Sequence, residues 1–136
     1  MVGPEDEGEE GTVGNEPEGV QPGGAIVVHK LAVPGISGIA YVEIPRLVRL
    51  EADGAYTRIH CAKGKRLMAS HSLGYYVKLL SRHGFHRCHH GHMVNLALVI
   101  EVSALGGYRV RMANGDVVEV SRRKWSGLLR AMHDLQ

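Results

Sequence analysis

The stretch Pro45–Cys61, "PRLVRLEADGAYTRIHC", decides the fold class. Its first half alternates, with Val48, Leu50 and Ala52 on one face of an extended chain and Arg49 and Glu51 on the other. Asp53-Gly54 supplies a turn, because glycine accepts the positive φ that a tight hairpin needs. "AYTRIHC" then follows as the partner strand, rich in β-branched and aromatic residues. A hairpin of period 2 is the expected organising unit.

The same pattern extends outward. Upstream, "AIVVHKLAV" (25–33) and "GIAYVEI" (38–44) read as strands separated by the turn "PGIS". Downstream, a turn at Lys63-Gly64 leads into "KRLMAS". Further strands are expected at roughly 99–105, 108–113 and 116–120, joined by Gly106-Gly107 and Asn114-Gly115. Two helices interrupt them. After Ser72 as N-cap, Leu73, Tyr76, Val77 and Leu80 keep helical spacing, and Gly84 can end the helix. After Ser121, Trp125, Leu128, Leu129 and Met132 form a second stripe. The expected fold is mainly β, with two short α-helices.

The 136 residues suffice for one domain with a moderate core. No apolar run approaches the roughly 20 residues that a membrane helix needs. Residues 1–24 carry seven acids and no lysine or arginine among many glycines and prolines; this segment is expected to be a disordered tail or linker. The folded domain is expected to span 25–136. It holds all 16 basic groups against seven acids, a formal +9, which points to a polyanion partner or to ordinary solubility charge. Two cysteines, Cys61 and Cys88, make no disulfide framework, so a reducing cytoplasm is expected.

Chemistry concentrates in Phe85–Asn95, "FHRCHHGHMVN". A metal reading would use His89, His90 and His92. However, Cys88, His89, His90 and His92 are packed too closely to converge on one ion without a sharply bent loop, and no second ligand pair lies elsewhere. A catalytic reading lacks G-x-S-x-G or H-E-x-x-H, and a small histidine–metal nuclease would have to combine His89, Asn95 and His133 without its helix. No catalytic residue, metal ligand or cofactor is assigned. His83 and His86 read as buried or idle, whereas His89, His90 and His92 can reach phosphate oxygens or base edges.

The order of landmarks then becomes informative. "LEADGAYTRIHC", "SHSLGYYVKLL", "FHRCHHGHMVNLALVIEV" and "NGDVVEVSRRKWSGLL" resemble the LytTR family of bacterial DNA-binding domains. The matching residues are Asp53, Tyr56 and Thr57; Ser70 and Leu73; Phe85, Arg87 and His89; Val94 and Asn95; and Val120, Ser121, Arg122 and Arg123. The resemblance covers residues 25–136. It implies about ten strands in small antiparallel sheets, an elongated β-β-β sandwich whose loops enter successive major grooves. It also implies a cytoplasmic bacterial transcription regulator of the response-regulator, two-component kind, occupying paired direct repeats in double-stranded DNA as two copies. It implies no enzyme activity, no cofactor, no small-molecule substrate and no membrane.

Carried over, the expected DNA contacts are Tyr56, Thr57 and Arg58; Arg87, His89, His90, Gly91 and His92; and Ser121, Arg122, Arg123 and Lys124. Arginine can grip guanine or phosphate with its fork, and the helix after Ser121 would aim its N-terminus at a phosphate. Arg87 could instead pair with Glu101, and His89 could instead support the loop. Asn95 is expected to bond backbone, with Phe85, Val94, Trp125 and Leu128 in the core. Cys88, beside the loop, could make binding redox-sensitive. The alternative reading from another class is the His-rich metal-binding or metal-dependent nuclease module. The 24 preceding residues are too few for a receiver, so a stand-alone regulator or a fragment of a longer chain is expected.

Overall fold

A computed structural model describes residues 29–136. The expected tail, 1–24, and the first four residues of the earliest predicted strand lie outside the described residues. The described chain runs β1 (Lys30–Pro34), β2 (Ile39–Glu43), β3 (Leu47–Asp53), β4 (Tyr56–Cys61), β5 (Arg66–Ala69), α1 (Leu73–Leu80), β6 (Phe85–His89), β7 (His92–Asn95), β8 (Val99–Ser103), β9 (Arg109–Met112), β10 (Val117–Glu119) and α2 (Arg122–His133). The ten strands form three antiparallel sheets: β1-β2, a central β5-β4-β3-β7-β6, and β10-β9-β8. The mainly-β architecture with two helices is the one expected.

The predicted hairpin is the centre of the molecule. Asp53 pairs with Tyr56, so the turn proper is Gly54-Ala55, and Gly54 takes φ 62°. Strand β3 also pairs with β7, which makes it the middle of five. Its alternation is not strict, however. The pairing slips between Leu47 and Arg49, leaving Val48 as an extra residue opposite β4. Such a bulge turns one side chain to the other face of the sheet. Val48 was expected beside Leu50 and Ala52; instead it enters a different core.

Two cores therefore flank the central sheet. One gathers Leu47, Leu50, Ile59 and Met93 under β1, β2 and α1, with Tyr76 and Leu80 fully buried. The other joins Val48, Cys88 and Val94 to Val110, Met112, Val118 and Leu128. It attaches the β8–β10 sheet and α2. In α2 the apolar stripe departs from expectation: Leu128 is buried and Trp125 and Met132 partly so, but Leu129 is exposed. Trp125 packs on Tyr108 with ring centroids 4.7 Å apart.

The turns match their residues. Gly84 adopts φ 81° after the one-turn extension of α1. The Asn114-Gly115 hairpin uses three loop residues. The Met112 N–H donates to the Asp116 carbonyl and the Gly115 N–H to the Met112 carbonyl, with Gly115 at φ 94°. Ser72 and Ser121 stand at the two N-cap positions, but neither hydroxyl makes the expected capping bond. Asn95 does the work expected of it. At 4% exposure, its Nδ2 donates to the Leu47 carbonyl at 2.8 Å and its Oδ1 accepts from the Ala97 N–H at 3.1 Å.

Because both bonds are sheltered and one anchors the residue beside the bulge, Asn95→Ala should cost about 2–3 kcal/mol, the usual penalty for stranding buried polar groups. Urea unfolding would measure this. A loss under about 0.5 kcal/mol would show that the bridge contributes little.

Candidate nucleic-acid interface

Strand alternation divides the first expected contact segment. Tyr56 is 53% exposed, and Arg58 lies on the same face two residues on. Arg58 donates to Asp53 at 2.7 Å and lies 3.5 Å from Glu51. Thr57 points the other way and is fully buried, its hydroxyl donating to the His71 carbonyl at 2.8 Å. Three consecutive strand residues cannot share one face, so Thr57 is corrected from a contact to a structural residue.

The second segment is a tight hairpin. His89 pairs with His92, leaving only His90-Gly91 in the turn. The Gly91 carbonyl accepts from the Ala52 N–H at 2.9 Å, which docks the turn on β3. Arg87 donates from Nε and Nη2 to the His90 carbonyl, at 3.2 and 2.6 Å. His89 Nδ1 accepts from the Gly91 N–H at 3.0 Å, so in the neutral ring the proton sits on Nε2, which faces Glu119 Oε1 at 3.8 Å. His90 is exposed. His92, expected to face outward with it, is instead half-buried with Nδ1 sheltered and unpartnered. Glu101 pairs with Arg111 rather than Arg87.

The third segment begins α2. The Ser121 N–H donates to the Cys88 carbonyl at 2.9 Å, pinning the helix start to β6. Arg122 and Arg123 are exposed and Lys124 half-buried, and the first turn carries no acid. Three cations there oppose the helix dipole, whose N-terminal end is already positive. An anion placed against that turn relieves the conflict.

The fold brings the second and third segments together. Arg87, His89, His90, Ser121, Arg123 and Lys124 line one cleft of about 260 Å³. The first segment reaches it through the register, since Arg58, Glu51 and His92 stand opposite one another across β4, β3 and β7, and His92 stands opposite His89 on β6. Sequence reasoning missed Glu51, which takes His60 Nε2 at 3.1 Å and lies 3.5 Å from Arg49. Partial burial pushes its carboxyl up, but the His60 bond with Arg49 and His92 nearby outweighs this and holds it below the usual range. Its place opposite Arg58 is readable from the hairpin turn. Glu119, on a separate sheet, carries no comparable signal.

Cys88 is fully buried, and burial raises its thiol to about 11, so it presents no reactive thiolate to the cleft at neutral pH. Among the described residues, no group of three or more His, Cys, Asp or Glu is arranged to hold a metal ion. No helix of the described residues is long and apolar enough to cross a membrane.

Comparison with known proteins bears on the family and the fold. A family model described as the LytTr DNA-binding domain matches residues 37–133. Among solved structures, the chain is similar to a domain described as the LytTr DNA-binding domain of a methyl-accepting/DNA response regulator from Bacillus cereus. The TM-score is 0.66 at 22% identity, covering 76% of this chain and 96% of that one. At that identity the likeness bears on the fold. No curated protein matches the chain.

Two histidines beside the cleft carry a pH signature. Burial lowers His86, with Lys124 adding to it, and burial also lowers His92, with His89 beside it. As pH falls below the ordinary value of 6.5, the unfolded chain takes up protons before the folded one does. Stability is therefore full above that pH and declines below it, toward the depressed folded values. Urea unfolding at pH 7.5 and about 5.5 should show the loss, and His86→Gln should reduce it; equal midpoints would refute the assignment.

Proposed function

The chain belongs to the LytTR family of DNA-binding domains, and we propose on that basis that its basic cleft grips double-stranded DNA in a sequence-specific manner as part of a transcription regulator. The observation that carries this reading is the meeting of two basic segments, 87–90 and 121–124, around a single cleft at a helix N-terminus. Backbone N–H groups and the helix dipole favour a phosphate there. Arg123 and Arg122, exposed on the first turn, can extend to base edges, where a guanidinium can take guanine O6 and N7 together.

The hairpin tip formed by His90-Gly91 enters the major groove in this reading. Tyr56 and Arg58 engage the duplex farther along the same sheet face. His90 touches DNA, while Arg87 and His89 hold the turn in shape through the His90 carbonyl and the Gly91 N–H. His92 acts from behind, between His89 and Glu51. Ser121 contributes its place at the helix start rather than a capping hydroxyl. The described residues hold a formal +9, enough to draw a duplex to the surface before any base is read. Binding of two copies to direct repeats, a bacterial cytoplasmic setting, and the absence of catalysis and of any cofactor complete the proposal. The domain itself is taken to extend over residues 25–136.

Contact types separate by mutation. Arg123→Ala should relax discrimination at one base position by roughly 1–3 kcal/mol, whereas Lys124→Ala should weaken all sequences alike and reduce the salt slope by about one. Mobility shifts on a site selected from random duplexes, run against scrambled DNA at several salt concentrations, measure both effects. Equal losses on selected and scrambled DNA for every variant would reduce the domain to a non-specific polyanion binder.

A further inference from the structure

One row along the same face of the central sheet, the register sets Arg49 of β3 opposite His60 of β4, and His60 opposite Arg66 of β5. Two residues separate this row from that of Arg58, about 7 Å along the strand. The β9–β10 turn closes over the row with Asn114 and Asp116, and Lys65 adds a further cation. Together they bound a cavity of about 370 Å³, within the range of small-ligand sites.

The floor of this cavity is internally paired, and its rim carries two exposed cations. Arg49 donates to Asp116 at 2.7 Å, and His60, 8% exposed, is tied to Glu51. Among the described residues, neither Lys65 nor Arg66 has a carboxylate within 4.0 Å. The turn that presents them holds Lys63 at φ 63°, the one non-glycine residue at positive φ among the described residues. It is clamped by the Cys61 N–H donating to the Lys65 carbonyl at 2.7 Å. Non-glycine residues in that region are strained and persist where the surroundings over-determine them, often around ligand sites.

We infer that this pocket binds a small phosphorylated polyol, a sugar phosphate or nucleotide. The phosphate would lie between Lys65 and Arg66, and hydroxyls would donate to Asp116 and Asn114. Asp116 Oδ2 already accepts from Arg49 Nε at 2.7 Å and Asn114 Nδ2 at 3.1 Å, so Oδ1 is the atom left to take a ligand hydroxyl. A ligand with hydroxyl donors can use that oxygen, whereas a bare anion brings no donor to it. Arg49 keeps that carboxylate in place. The pocket uses none of the residues of the DNA cleft.

Ribose 5-phosphate is the probe, titrated calorimetrically into the full chain, with inorganic phosphate and ribose as controls. The expected result is saturable one-to-one binding that neither control reproduces. It should weaken at least tenfold in Lys65→Ala/Arg66→Ala and stay unchanged in Arg123→Ala. Both rim residues are exposed, so the double variant should keep the wild-type urea midpoint. No saturable binding would overturn the inference, as would inorganic phosphate binding equally well. Binding lost in Arg123→Ala but kept in the double variant would place the anion in the DNA cleft instead. A loss of DNA affinity in the double variant like that of Lys124→Ala would make the pocket a backbone contact of the duplex. The titration contains no DNA, so its failure is separable from failure of the DNA-binding reading.

Discussion

A single strand, β3, has to serve two hydrophobic cores at once, and the extra residue at Val48 is how it does so. An unbroken strand of period 2 would send Val48 and Leu50 to the same side. With the bulge, Leu47 and Leu50 pack toward α1 while Val48 packs toward the β8–β10 sheet. Strand β6, at the sheet edge beyond β7, carries a second slip between Arg87 and His89, where Cys88 joins the second core. Asn95 bonds the carbonyl of Leu47 at the edge of the β3 bulge, so a buried polar side chain stabilises the place where the ladder is weakest.

The proposed binding surface is built around the second bulge. The carbonyl of Cys88 accepts the Ser121 N–H, so the residue that breaks the β6 ladder also sets where α2 begins. Arg87 and His89, on either side of that residue, are thereby held against the first turn of the helix. That turn carries Arg122, Arg123 and Lys124 and no acid, which is the wrong charge for a helix start judged on stability alone. A conflict between local propensity and the fold is where function is expected to reside. Stability there is supplied from elsewhere: Leu128 is fully buried and Trp125 packs on Tyr108.

Much of this was legible in the sequence, and the misses have physical causes. Hairpins announced themselves through Asp53-Gly54 and Asn114-Gly115, and both helices through the spacing of Leu73, Tyr76 and Leu80 and of Trp125, Leu128 and Met132. Bulges leave no comparable mark. A strand with one inserted residue still looks apolar and β-branched, so strict alternation puts Val48 on the wrong face. Thr57 is a different case, because alternation alone separates it from Tyr56 and Arg58. The serine N-caps show the opposite limit. Residue type predicted the position correctly, but whether a hydroxyl closes its bond depends on rotamer and neighbours.

The histidine-rich stretch shows why residue density in a strand says little about convergence. A metal needs several ligands aimed at one point, but pleating and a tight turn scatter these side chains. His86 faces α2, and its Nε2 is buried without a partner. His89 is fixed by the Gly91 N–H, which commits its proton to the nitrogen facing Glu119. His90 sits in the turn and is free to meet a ligand. His92 crosses back to the polar row around Glu51, its Nδ1 shut away from solvent. The hairpin register therefore gives four imidazoles within seven residues four distinct environments. Of the four, His90 alone is exposed, and it is the one that the proposed interface places against DNA.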